Sequence, residues 1–310
     1  MSSERTLAEV RSEIDSIDDA IQDLLIRRTQ LVSEVRVIKH DWRVKIQPSR
    51  EAEILYRLVK RHSGAFPKRD LVAIWRVLIC ATLSFEGPFS VAVYTPANET
   101  GYWDLARDHF GPCTPVTRHT SVRSVIEAVH RQDAIVGVLP MPRLDDTDPW
   151  WRHIVTSHPE APRIIARLPF VDFGAGRRTG AEALAICPVS VVPTGRDRSY
   201  LVAETEERLG LNQFTQALQE AGLTSTFATV WRDEGQPQSW LYLSEVDGSL
   251  ATDDARLDIL RRTIGKPLKR LQPIGGYALP IPPDVLGPAP AAAPQPALPA
   301  RQPKSEDSSA

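Results

Sequence analysis

The chain has 310 residues, with 37 Lys and Arg against 39 Asp and Glu for a formal charge of −2, and 42% hydrophobic residues. That balance is ordinary for a globular protein, supplies no basic field for nucleic acid, and contains no apolar run approaching the roughly 20 residues of a membrane span. Cys80, Cys113 and Cys187 are scattered and form no CxxC pair, and MSSERTLAEV lacks a signal-peptide core, so a reducing cytoplasm is expected, with neither a disulfide framework nor a thiolate metal site.

Residues 7–39 read LAEVRSEIDSIDDAIQDLLIRRTQLVSEVRVIK, without Gly or Pro. Leu7, Val10, Ile14, Ile17, Ile21, Leu24, Leu31, Val35 and Ile38 recur at steps of three, four and seven. This predicts one amphipathic helix about 50 Å long. A helix of that length needs partners along it, and a second copy of the chain is the simplest source. Arg28 and Lys39 lie eleven residues apart, which is about 16 Å of rise and about 20° of rotation, so they share a face and could close on a small anion. Arg11 lies about 25 Å from Arg28 and off that face, so it could join such a pocket only from a partner chain. On geometry alone, three solvated cations on a polar face are the plainer account.

After a connector, HDWRVKIQPS, Pro48 opens a second helix, REAEILYRLVKRH. A third runs from Pro67 or Asp70 through LVAIWRVLICATLSFE to Glu86, stopped by Gly87-Pro88. From Phe89 the pattern changes to an α/β lobe: strand FSVAVYTP, helix GYWDLARDHFG, helix SVRSVIEAVHRQ with a Ser cap, and strand AIVGVLPMP. Strands PRIIARLPFV and AEALAICPVSVV follow, joined by the loop FGAGRRTG. From Arg198 the order is strand, helix, two strands, helix, strand, which is the ferredoxin-like βαββαβ pattern. The expected boundaries are 1–87 for the helical unit, 88–196 for the α/β lobe, 197–280 for the ferredoxin-like unit, and 281–310 for a disordered Pro/Ala-rich tail.

The helical unit resembles the all-helical, AroQ-class chorismate mutases. The resemblance rests on Arg11, Arg28 and Lys39 in the first helix, on SREAEIL with Arg50 and Glu51 in the second, and on Thr82 and Glu86 in the third. Two positions depart from the family's usual pattern: Gln47 stands near a place where many members carry Asp, and Thr82 where others have Ser. The later regions resemble the bifunctional chorismate mutase–prephenate dehydratase, or P-protein. GYWDLARDHFG and SVRSVIEAVHRQDAIVGVLPMP look like the dehydratase's first lobe. Its Pro-Ile-Glu-Asn stretch is here Pro140-Met141-Pro142-Arg143, and Thr179-Gly180-Ala181-Glu182 stands where Thr-Arg-Phe is expected. Most of one lobe is missing, which implies no dehydratase activity. LKRLQPIGGYALP resembles the ending of an ACT domain, a module that commonly pairs in regulation. The phenylalanine-binding Gly-Ala-Leu and Glu-Ser-Arg-Pro motifs have no clear match, with TVWRDE at the second, so an amino-acid effector stays an open expectation.

The resemblance implies an intertwined homodimer with shared sites and chorismate as substrate. It implies a rearrangement to prephenate that needs no metal or organic cofactor. Arg28 and the partner's Arg11 would each clamp a carboxylate. Lys39 would donate to the ether oxygen and a carboxylate, and Glu51 would accept the substrate hydroxyl. Arg50 would orient the acids, Gln47 would add a hydrogen bond, Thr82 would supply a small hydroxyl, and Glu86 would face the ether oxygen. An ionised carboxylate only accepts, so Glu86 must carry a proton to help there. Two alternatives remain: a non-catalytic regulatory or scaffold protein of the pathway, and a working bifunctional mutase–dehydratase. The tryptophans, including Trp42, Trp75, Trp103, Trp150 and Trp151, are expected to serve packing or interfaces. His109, His119, His130 and His153 lack metal spacing, and Arg177-Arg178 and Asp145-Asp146 are expected in solvated loops.

Overall fold

The structure is a computed structural model, and it describes residues 5–97, 101–171, 181–232, 235 and 238–287. Three helices come first: α1 (Leu7–Ile38), α2 (Pro48–Arg61) and α3 (Lys68–Glu86). Thr6 starts α1 with a capping box: its hydroxyl accepts from the Glu9 N–H, while the Glu9 carboxylate accepts from the Thr6 N–H. Lys39 is the C-cap of α1 rather than its last helical residue. Pro48, lacking an N–H that would have no helical partner anyway, sits in the first turn of α2. No residue of α1 is buried. By contrast Ala52, Leu55 and Val59 put one face of α2 into an apolar cluster with Val72, Phe170 and Val171.

The α/β lobe follows as β1 (Val91–Tyr94), α4 (Gly101–Phe110), β2 (Val116–His119), α5 (Val122–Arg131), β3 (Val136–Pro140), β4 (Arg163–Leu168) and β5 (Ala183–Cys187). β2, β1 and β3 are parallel, and β5 and β4 continue the sheet antiparallel. Along β1 the side chains alternate. Ala92 joins the cluster under α5 and Trp150–Trp151, whereas Val91 and Val93 join the cluster under α4 and α3. With both faces covered, β1, β3 and β5 read as nearly continuous apolar runs. Burial of Trp150 and Trp151 agrees with their expected packing role.

The last unit is β6 (Asp197–Thr205), α6 (Leu211–Glu220), β7 (Ser225–Arg232), β8 (Trp240–Asp247), α7 (Ala255–Ile264) and β9 (Leu268–Ala278). Its strand order β9-β6-β8-β7 is antiparallel throughout, the expected ferredoxin-like arrangement. The sheet does not stop at the expected boundary. β4 pairs with β9 at Ile164 and Gly275, giving one nine-stranded sheet, β2-β1-β3-β5-β4-β9-β6-β8-β7. Gly275 has φ +114°, and a Cβ there would lie 2.2 Å from the Ile164 carbonyl oxygen, so the crossing needs glycine. Trp231 Nε1 donating to Thr147 O at 2.9 Å, and Arg163 donating to Pro273 O at 3.2 Å, fasten the same seam.

The structure departs from the expected order at residues 281–287 and at β2. Residues 281–287, expected in the tail, are packed: Ile281 and Leu286 are buried beside α2, a 3-10 turn covers Pro283–Leu286, and Arg69 donates to Gly287 O at 2.5 Å. Two apolar side chains, hidden among prolines, suffice to anchor it. No strand is expected at β2, which is a four-residue edge strand with a polar, half-exposed pattern. The loop FGAGRRTG, with Arg177-Arg178, lies outside the described residues.

Candidate active site

α1 touches α3, and Arg36 lies over the Phe85 ring at 5.7 Å. This contact brings the C-terminal turns of the two helices together. Lys39 follows, with its ammonium over the Trp42 ring at 5.1 Å, and Glu86 stands next to Phe85. Glu86 Oε2 is buried without a hydrogen-bond partner. The Thr82 hydroxyl donates back to Ile79 O at 2.8 Å, one turn earlier in α3. Arg28 is half-buried and Arg11 exposed on α1, about 25 Å apart along the axis, so one chain does not bring them together.

The first turn of α2 divides its predicted residues between two faces. Gln47 is the N-cap, and its carbonyl accepts from the Glu51 N–H at 3.0 Å. Arg50 points outward, is exposed, and donates to Glu53 at 3.3 Å. Glu51 turns inward and is only 6% exposed. Its Oε2 accepts from Arg76 Nη1 at 3.0 Å, and its Oε1 has no hydrogen-bond partner. Burial pushes the Glu51 carboxyl above the usual carboxylate value; the Arg76 charge and the Gln47 backbone N–H oppose this, and Glu86 adds to it. Glu51 and Glu86 are therefore electrostatically coupled, although they sit on different helices.

Arg76 was not among the residues the sequence singled out. It is 4% exposed, and burial lowers its proton affinity while Glu51 raises it. His109 of α4, also buried, is held well below the ordinary imidazole value by burial and then by the Arg76 charge, so it is neutral. A signal for Arg76 does exist in the sequence. Val72, Ile79 and Leu83 form the apolar stripe of α3, and Arg76 falls within it. A cation on a buried stripe needs an anion, and Glu51 supplies it.

Within one chain the structure thus sets the cations Arg28 and Lys39 on and just after α1 and two acids, the buried Glu51 and the half-buried Glu86, on α2 and α3. Residues 10–87 match the family described as Chorismate mutase type II. A bifunctional chorismate mutase/prephenate dehydratase of Aquifex aeolicus is 34% identical over 140 residues, covering 44% of this chain and 38% of the relative. One of Stutzerimonas stutzeri is 28% identical over 147 residues, covering 46% and 40%. The chain spans about two fifths of the length of these curated relatives. Among solved structures, a prephenate dehydratase from Streptococcus mutans aligns over 62% of this chain and 98% of its own, at 11% identity and TM-score 0.43. A protein described as GqqA, a novel type of quorum quenching acylase, aligns over 64% and 98%, at 19% identity and TM-score 0.45. The chain thus carries, over residues 10–87, a domain of the chorismate mutase type II family.

Proposed function

We propose that this chain is a chorismate mutase of phenylalanine and tyrosine biosynthesis, working in the cytoplasm as a homodimer with shared sites, and that its α/β lobe has no dehydratase activity. The observation that carries this reading is the unpartnered apolar stripe of α1 within a domain of that family. Ile14, Ile17, Ile21, Leu24 and Leu31 are 51% to 65% exposed. A row of that length is a protein interface rather than a solvated face. An antiparallel second α1 covers it and brings Arg11 of the partner subunit toward Arg28 and Lys39, which one chain alone does not do.

The chemistry needs positioning and electrostatics rather than a nucleophile. Chorismate is a dianion that must be held in its reactive diaxial shape. Arg28 and the partner's Arg11 each hold a carboxylate. Lys39 stabilises negative charge growing on the ether oxygen as the C–O bond breaks, and Glu86, whose Oε2 is buried without a hydrogen-bond partner, faces the same oxygen. Glu51 accepts the ring hydroxyl, Gln47 assists it and Thr82 lines the site, while Arg50, turned to solvent beside Glu53, is left outside it. The inactive-lobe reading rests on Pro140-Met141-Pro142-Arg143 and Thr179-Gly180-Ala181-Glu182 standing where the dehydratase pattern requires other residues. No amino-acid effector is assigned to the ferredoxin-like unit.

The direct test incubates the purified full chain with chorismate at neutral pH and follows its loss, with prephenate and phenylpyruvate measured separately. Prephenate without phenylpyruvate is expected. Absence of prephenate overturns the mutase reading, and enzymatic phenylpyruvate overturns the inactive-lobe reading.

A further inference from the structure

The buried face of α3 carries two arginines that meet different partners. Arg69 reaches the backbone carbonyls of Leu286 and Gly287, whereas Arg76 is held between the helical unit and the α/β lobe. On the helical side, Arg76 Nη1 donates to Glu51 Oε2 at 3.0 Å. On the lobe side, its guanidinium centre is 5.0 Å from the ring of Phe170, just after β4. Phe170 is itself fixed against Tyr56 of α2, with ring centroids 5.7 Å apart. Two cavities of about 10 Å³ flank Arg76, and Phe170 and His109 line both. Each has about the volume a single water needs, far below that of any organic ligand. Arg76 therefore meets no substrate through these cavities, and its link to the site runs through Glu51.

We propose that Arg76 is a positioning residue of the mutase site: it holds Glu51 by Oε2, is held in turn by Phe170, and so presents Oε1 to the substrate hydroxyl. This deepens the proposed function and rests on its reading of Glu51 as the hydroxyl acceptor. A glutamate held at one oxygen keeps one rotamer and directs the other oxygen; left alone in an apolar seam, it would turn or take up a proton. The planar guanidinium fork suits the task, since one donor reaches the carboxylate while the flat face rests on an aromatic ring. His109, being neutral, does not compete for Glu51. The consequence is that the α/β lobe, without touching substrate, sets the geometry of a residue in the helical unit.

The ionisable groups around Glu51 are Arg76, Cys80 and Glu86 of α3, Cys187 of β5, and His109 beside Arg76. Among them Arg76 is the group whose charge most opposes the upward shift that burial imposes on Glu51. Loss of Arg76 therefore also moves the acid limb of the kcat/KM profile to higher pH.

The test is a double-mutant cycle on the full chain, with chorismate turnover measured across pH for Arg76→Met, Glu51→Gln and their combination. Arg76→Met is expected to lower kcat/KM about ten- to a hundredfold, the worth of a charge-assisted hydrogen bond. It should shift the acid limb upward and add little further loss in the Glu51→Gln background. Phe170→Leu, which leaves both charged partners in place, is expected to lose about two- to fivefold, again with little further loss once Glu51 is Gln. Should Arg76→Met not fold, Arg76→Lys, which keeps the charge and loses the fork, and Phe170→Leu carry the same cycle. Equal losses in both backgrounds mark a purely structural effect and overturn the proposal. Parental kinetics in the Arg76 and Phe170 variants, with Glu51→Gln impaired, overturn the positioning role and leave the Glu51 reading standing. Parental kinetics in Glu51→Gln remove that reading and the proposal with it.

Discussion

Replacing Arg76 by Met leaves the Glu51 carboxylate buried, with the partner of its Oε2 gone and Oε1 already unpaired. Removing one member of a buried ion pair costs about 3–5 kcal/mol, because the survivor keeps its desolvation penalty without compensation. At about 2–4 °C per kcal/mol, this is a fall in Tm of about 10 °C. The sign of the pH dependence follows from Glu51. Its folded carboxyl lies above the usual value of 4.5, so the native state binds that proton more tightly than the unfolded chain. The stability it contributes is fully present below the unfolded value and is lost as pH rises through the folded one. Without Arg76 nothing comparable opposes burial, the folded value climbs further, and the loss extends to higher pH. The gap in stability between parent and Arg76→Met should therefore be smaller at pH 5 than at pH 8. Urea unfolding followed by tryptophan fluorescence at the two pH values measures it. A gap that is equal at both, or larger at pH 5, refutes the buried-pair reasoning. The double variant Glu51→Gln with Arg76→Met should recover most of the loss, since neither charge is then stranded.

Glu86→Gln puts an N–H donor where the carboxyl faces the ether oxygen and should keep kcat/KM within about tenfold of the parent, whereas Glu86→Ala should lose about ten- to a hundredfold; equal losses in the two variants remove Glu86 from the ether-oxygen role. Gly275→Ala forces a Cβ against the Ile164 backbone at a positive φ, and should destabilise the β4–β9 seam by about 2–4 kcal/mol, read as a lower urea midpoint and faster limited proteolysis. A midpoint equal to the parent's would contradict the account of that crossing. Leu286→Ala empties a buried site beside α2 and should lose about 2–4 kcal/mol; a negligible change in the urea midpoint would show that the 281–287 segment does not anchor the helical unit.

The helical unit was largely legible in the sequence because α1, α2 and α3 each show an apolar period, with Pro48 opening the second and Gly87 closing the third, whereas the Thr6 cap of α1 emerged only in the structure. The six elements of the ferredoxin-like unit were legible for the same reason. What was hidden is non-local. A nine-stranded sheet depends on one backbone pairing at Gly275, where the sequence shows only a Gly-Gly pair inside an apolar strand. Ile281 and Leu286 were masked by the prolines around them. Adjacent residues Arg50 and Glu51 looked like a unit, yet about 100° of helical rotation puts the first in solvent and the second in the seam. Arg76 stands outside the charged set that carries the family resemblance, because its partner is internal. Its place among Val72, Ile79 and Leu83 carried the information.

The central claim is that the site is completed by Arg11 of the partner subunit. It is tested most directly by co-refolding Arg11→Ala chains with Arg28→Ala chains and measuring chorismate turnover. Each variant alone should be nearly inactive, since every site lacks one carboxylate clamp. A mixed dimer holds one site lacking both clamps and one site intact, so the mixture should regain a substantial share of parental activity. Mixtures that dimerise and exchange chains yet stay as inactive as the separate variants would contradict the account.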